Sequence, residues 1–492
     1  MTTAPDSLRA IPALLLKCLI PCMLCSATAL AQVWVGGGAT NGWEANDNWD
    51  ATPDFDGTDD ITIGNFSTAL NADRFINSLT GGGGGNSWIN AGVSGSTLTI
   101  KSGNVTQSGS GRINAQVVLG DPNVTSGDFT ANFSGPSAGA LQFGSGAAGA
   151  AGPGLSRADP GQSWTVVTSG NVNMRGGVWD VDHVQITSGR LRMENSAEFA
   201  GGVNTTMQID SGAELSWGNP NQPITVAALT GGGEVVSRQS GEWTFRVNAG
   251  EDHTFEGRIT QQESARRTAL TLDGSATWTL TGNDHDYTGI TNIDGGTLRM
   301  NGIVLEGTDA DVTDKSWHVN DGGGLGGIGE IRRDVFVNEG GTLRPGNSTG
   351  VLTLGDSSVG SGLSVNLTLE DGFLYEWEYD NGMADRDLVH VIGNLVLDGD
   401  HFTSGAGASV ITLMNLGTGS LQIGDILFST TEGILDGATP VTSGTLNWDV
   451  QDGSGFFAAV DGNNIVLVPE PGTLALLVIA LGASFIASRR RK

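Results

Sequence analysis

Residues able to do chemistry are sparse and scattered in this chain. The six histidines, at 183, 253, 285, 318, 390 and 401, show no ligand-like spacing, so neither a zinc site nor a nucleophilic triad is expected. Carboxylates at i and i+2 of a strand share a face about 6.5 Å apart, within the range of inverting glycosidases. Asp180 with Asp182, and Glu376 with Glu378, have that spacing. Solvated strand faces also produce such pairs, and that is the preferred reading. Asp284-His285-Asp286 suggests a metal but lies between two strand-like stretches, where a polar turn is expected. Pro53 to Asp60 sets four aspartates around Gly57. It lacks the order and distal Glu of an EF-hand, so an Asp-Gly turn into the strand Ile61-Thr62-Ile63 is expected, with weak cation binding the alternative. No phosphate loop, nucleotide fingerprint or basic aromatic stripe is present, and no catalytic, cofactor or metal residue is assigned.

The elements that would position these residues are strands. Glycine supplies 77 of 492 residues against 14 prolines, without the collagen period, and no amphipathic helix is visible between Gln32 and Val468. A short cassette recurs: IKSGNV (Ile100 to Val105), VTSGDF (Val124 to Phe129), VTSGNV (Val167 to Val172), ITSGRL (Ile186 to Leu191) and IDSGAEL (Ile209 to Leu215). Its glycines, 103, 127, 170, 189 and 212, are separated by 24, 43, 19 and 23 residues, with 43 read as about two periods. A repeat of about 19 to 24 residues suits one coil of a β-solenoid, with glycine supplying the positive φ of a turn between faces. The pattern returns at Ile293 to Met300, Val319 to Leu325 and Val337 to Leu343. Roughly 320 residues would make about 13 to 17 coils, a rod about 60 to 80 Å long. Trp34, Trp43 and Trp49 are the candidate N-terminal cap.

Both ends read as handling signals. Arg9 and Lys17, the apolar residues 18 to 24, and Ala29-Leu30-Ala31 before Gln32 form a secretory signal peptide with a signal peptidase site at Ala29 and Ala31. Cys18, Cys22 and Cys25 lie inside it, and no lipobox precedes them. The exported chain therefore has no disulfide. At the other end, Pro469-Glu470-Pro471 is stiff and expected to be extended and exposed. Thr473 to Ala487 then carries no charge, and Arg489, Arg490, Arg491 and Lys492 close the chain. The apolar stretch is marginal for a single transmembrane helix, and the basic end belongs in the cytoplasm. This order resembles the PEP-CTERM sorting signal, which implies an exosortase-like membrane protease as processing partner. A permanent tail anchor is the alternative. Without the two ends, 18 basic and 52 acidic residues leave a charge near −34, which repels nucleic acid and anionic membrane.

ATWTLTGNDHDYTGITNIDGGTLRMNG, Ala276 to Gly302, resembles the autotransporter-associated β-strand repeat, with Trp-x-Leu-x-Gly, Tyr-x-Gly, Thr-x-Ile and Gly-x-Leu in order. Gly323 to Asp356, with its Pro345-Gly346-Asn347-Ser348 turn, is similar to the segment that often follows it, and Trp34 to Asp50 to the openings of such proteins. The resemblance implies an all-β, right-handed parallel β-helix displayed outside the cell. It does not extend to export through an outer-membrane barrel, for which no barrel of alternating strands is present. The expected organisation is a signal peptide at 1–31, the β-helix at 32–360 (clearest repeat at 270–356), a C-terminal β-rich cap at 361–467, either a continuation of the helix or a small sandwich, and the sorting signal at 468–492. The expected function is that of an exported structural or adhesive protein of the cell surface or extracellular matrix, non-enzymatic, with exopolysaccharide a candidate partner. A polysaccharide lyase or hydrolase is the alternative. A carbohydrate-binding role is a third reading, favoured if exposed Trp or Tyr line one face.

Overall fold

Strands of two to nine residues alternating buried and solvent-facing side chains, joined by glycine corners, stack here into a three-faced solenoid. The computed structural model describes residues 31–469, apart from 83–86, 92–94, 145–152, 196, 201–203, 221–222, 264, 308–313, 359–362, 381–385, 403–408, 418–419 and 453–454. The described residues contain strands and a single 3-10 turn, Asn46–Asn48. Successive strands move from face to face, and each pairs in parallel with the strand one coil away.

The first face begins at Gln32–Trp34 as a nine-stranded sheet ending at Ala228–Thr230. It continues through a Gly231–Phe255 bridge into an eight-stranded sheet from His253–Phe255 to Asp449–Gln451. At about 4.8 Å per rung the stack is on the order of 80 Å long. The second face runs from Ser67–Leu70 to Arg258–Gln261 and resumes at Ile303–Val304. The third runs from Arg74–Ile76 to Glu198–Phe199, against which Ile224–Val226 packs to open a ten-stranded sheet.

Parallel sheets usually read as continuous apolar runs because both faces are covered. In this single-layer coil only the inner face is covered, so strands alternate cleanly, as in Gln162–Ser169. In-register stacking turns the alternation into interior columns. Val166, Val184, Met207 and Leu229 form one on the first face. Phe245, Leu270, Thr291, Trp317, Val335 and Leu367 form another on the third, and all these residues are essentially inaccessible. Each apolar side chain so buried contributes about 1.5 to 3 kcal/mol. Outside, corner residues form ladders: Asp294 Oδ1 accepts from Asn320 Nδ2 at 2.6 Å, and Asn320 Oδ1 from Asn338 Nδ2 at 2.6 Å.

Both ends are closed. At the N-terminal end Trp34, Trp43 and Trp49 are buried, with ring centroids 4.9 Å (Trp34–Trp49) and 5.4 Å (Trp43–Trp49) apart, and Phe55 stacks on Trp43 at 5.8 Å. The aromatic cap expected from sequence is therefore in place. At the other end parallel pairing gives way to antiparallel strands: Thr439–Val441 on Gly433–Asp436, and the hairpin Phe456–Asp461 with Asn464–Pro469 against Ile426–Thr430. These strands turn the last coil's open edge into a hairpin.

Two expectations need correction. Residue 361 is not a boundary: Val365–Glu370, Leu374–Tyr379 and Leu388–Val391 pair in parallel with the coils before and after them, and parallel pairing continues to Asp436 on the third face and Gln451 on the first, with the antiparallel closing strands entering from Thr439. The 43-residue gap between Gly127 and Gly170 is not two periods either. Gly127 pairs with Gln162, so that coil is lengthened by the insertion between Phe143 and Leu155, and Gly170 lies at a different corner of the next coil.

Candidate functional site

The carboxylate pairs singled out in the sequence are engaged structurally. Asp180 and Asp182 lie at the corner between the third and first faces, where both meet Arg157, at 2.7 Å (Nη2–Oδ1) and 3.2 Å (Nη1–Oδ2). The Trp164 amide also donates to Asp182 Oδ2 at 2.8 Å. Glu376 and Glu378 do point outward from Leu374–Tyr379, but Glu376 is held by Arg344 at 2.7 Å. Burial pushes the Glu378 carboxyl up, with Glu376 adding to the shift. Beside them Asp387 is almost fully buried; its oxygens accept from the Gly350 and Glu378 amides, both at 2.8 Å, and burial raises its carboxyl to about 8.

The Asp284-His285-Asp286 segment corrects the expectation of a polar turn. Asp284 adopts a φ of 62°, but His285 is fully buried and bridges to Val304, while Asp286 bridges to Thr260. These residues carry the second face between Arg258–Gln261 and Ile303–Val304. The Ile259 amide donates to His285 Nδ1 at 3.1 Å, which fixes a neutral Nε2–H tautomer. Desolvation, then the positive charge of Arg333, lowers its pKa to about 4.

Three of the four aspartates in 53–60 serve separate hydrogen bonds. Asp56 accepts from the Thr58 amide and hydroxyl, Asp59 from the Phe55 amide, and Asp60 from Asn77 and Ser78. Gly57, at φ 88°, turns the chain into Asp60–Ile63. Among the described residues no three His, Cys, Asp or Glu side chains are grouped as a metal site would need.

Of the terminal signals, Ala31 and Pro469 are the outermost described residues. Ala29, Glu470, Pro471 and the basic residues 489–492 lie outside them, as do the segments read as signal peptide and transmembrane helix; no helix among the described residues is long and apolar enough to cross a membrane. Pro469 is extended as expected, but it is buried, pairing with Phe456 as the last residue of Asn464–Pro469.

A cleft of about 520 Å³ was not singled out in the sequence. It arises from unequal corners. Leu305–Ser316 and Gly355–Ser364 are long connections from the second face to the third, whereas the coil between them turns through only Arg332-Arg333-Asp334. Described residues at the loop ends, Glu306 and Asp314 to Ser316 on one side and Leu363 and Ser364 on the other, line the walls, and the short coil is the floor. Its twin arginines staple the walls: Arg333, buried under the lower loop with its guanidinium 4.5 Å from the Tyr287 ring centre, donates to the Leu305 carbonyl at 2.9 Å and to the Tyr287 carbonyl, while Arg332 reaches Asp356 of the upper loop at 3.0 Å. On the floor, His318 and Phe336 occupy equivalent outward positions of adjacent coils and stack at 5.1 Å with 9° between their planes.

Asp314, Ser316 and His318 meet in this cleft in an order unsuited to nucleophilic catalysis. The Ser316 hydroxyl donates to Asp314 Oδ1 at 2.5 Å, so His318 Nε2, 2.8 Å from the Ser316 hydroxyl oxygen, must itself be the donor. A general base would accept the serine proton, with the carboxylate behind the histidine.

Fold and corners together define a capped parallel β-solenoid. Residues 270–300 match the family model described as Passenger-associated-transport-repeat; no curated protein matches this chain. The matched segment covers little more than one coil, and its landmarks are structural. Trp278, Leu280, Ile293, Leu298 and Met300 fill the interior. Tyr287, also buried, has its hydroxyl 2.6 Å from that of Thr291. Gly289 passes so close to Thr268 and Ala269 that a Cβ would lie 2.4 Å from the Thr268 carbonyl oxygen.

Proposed function

We propose that this chain is an exported, non-enzymatic rod of the cell surface or extracellular matrix, structural or adhesive in role, delivered through a PEP-CTERM-type tail by an exosortase-like protease after signal peptidase has removed the first 31 residues. The observation that carries the reading is the uninterrupted three-faced stack, closed at both ends and bearing the passenger-type repeat. Such a stack gives a long surface from about 440 residues without disulfides. The ion pairs that occupy Asp180, Asp182 and Glu376 support the non-enzymatic role, and the acidic exterior suits a neutral glycan or cationic partner, with exopolysaccharide the first candidate. The test is intact mass of the protein recovered from culture fluid or matrix. A start near Gln32 and loss of Arg489 to Lys492 are expected; recovery of the complete tail from the outside fraction would refute sorting by cleavage.

A further inference from the structure

We infer that the cleft floored by His318 and Phe336 and lined by Glu306, Asp314 and Ser364 binds one unit of a neutral polysaccharide. Its size falls within the range of small-ligand clefts, about 300 to 1,000 Å³. Its floor is a flat two-ring platform of His318 and Phe336, both partly exposed on the outside of the rod. Such a surface offers a pyranose ring an apolar contact face.

Around the platform the charges are of mixed sign. Glu306, Asp314 and Asp334 are exposed carboxylates of the lining, and they accept hydrogen bonds. Lys315, which donates to the Gly307 carbonyl at 3.2 Å, has two further N–H donors, while at the floor Arg332 is matched by Glu330 and Asp356 and Arg333 is buried. An anionic ligand would meet three carboxylates at the rim within a strongly acidic chain. A cationic one would meet the Lys315 ammonium among those carboxylates. A neutral polyol, donating through some hydroxyls and accepting through others, matches both kinds of group.

Among the described residues the platform ends at these two rings, because Asn292 and Thr368 hold the equivalent outward positions of the coils on either side. Affinity for one unit is therefore weak, and retention on a polymer would come from many weak encounters. The inference concerns the cleft alone and does not depend on how the tail is processed.

Native affinity electrophoresis of the full chain tests it, in gels containing dextran, mixed-linkage β-glucan, galactomannan or alginate. Retardation by at least one neutral polymer is expected, with the association constant falling at least tenfold in Phe336→Ala and severalfold in Glu306→Gln. Phe336 is a surface-facing residue and Glu306 a rim residue, so circular dichroism should be unchanged. Should Phe336→Ala unfold, Glu306→Gln and a platform-preserving Phe336→Tyr, which should still bind, carry the decision. No retardation by any neutral polymer, retardation by alginate alone, or neutral retardation unchanged in the variants would overturn the inference.

Discussion

His285 replaces the expected solvent turn with an interior hydrogen-bond acceptor, and this makes it a source of acid sensitivity. Its folded pKa, about 4, lies below the unfolded value of about 6.5, so the folded chain binds fewer protons through this group. Its contribution is complete above pH 6.5 and is lost as pH falls towards 4, by about 3 kcal/mol. Asp387 works the other way. Its carboxyl is raised to about 8, so its contribution is present at low pH and lost as pH rises through that value. A wild-type profile mixes the two, and a difference experiment separates them. His285→Asn keeps an acceptor for the Ile259 amide but cannot protonate. Between pH 7 and 4 the wild type should lose about 3 kcal/mol more than this variant, read by hydrogen exchange on the coils around 259–303; parallel profiles would refute the assignment. Nothing in the local sequence distinguishes this histidine from a turn residue, because the column it joins is built from residues a coil away.

At the scale of strands and corners, much was legible. Gly103, Gly127, Gly170, Gly189 and Gly212 all have positive φ, as the cassettes required, and the alternation of Gln162–Ser169 announced its buried side. The phase of the cassettes was not legible. IKSGNV turns the chain from the third face to the first, but ITSGRL turns it from the first to the second. Any corner that reverses direction tightly needs the same residues, so the motif marks a corner without saying which. The cleft was hidden for a related reason: its walls are the ends of insertions at two corners, recognisable only once the short corner between them is placed. Corners of similar sequence also differ in tolerance. Ile186 and Ile209 are in register, as are Arg190 and Glu214, so the turn holding Gly212 is one residue longer than that holding Gly189. A Cβ at Gly189 would lie 2.3 Å from the Gly170 carbonyl oxygen, but none of the surrounding atoms comes within 4 Å of one at Gly212. Gly212→Val should cost about 1 to 2 kcal/mol from φ strain alone, and Gly189→Val at least about 2 kcal/mol more. Denaturant midpoints compare them, and equal midpoints would mean the stacked corner relaxes freely.

Over the whole rod, each coil touches chiefly its neighbours, so stability should be close to a sum along the axis. Deleting residues 184–206 places Met207 where Val184 stood, in the same register on the first face. The shortened chain should fold, bury both caps and keep hydrogen-exchange protection in coils far from the junction. Protection lost throughout would show a single globular core instead. The expected change of architecture at residue 361 failed for a reason visible at this scale: longer strands such as Leu374–Tyr379 widen a coil without leaving the stack. The marginal length of the apolar stretch after Pro471 and the acidity of the body were readable from composition alone.

The burial of Pro469 has a mechanical consequence. The strand Asn464–Pro469 lies between Ile426–Thr430 and Phe456–Asp461, hydrogen-bonded on both sides. A force applied to the chain beyond Pro469 and directed along that strand loads both ladders in shear, so several bonds must yield together instead of opening one after another as in an unzipping hairpin. The point at which the folded body passes into its tail is thus built to carry tension.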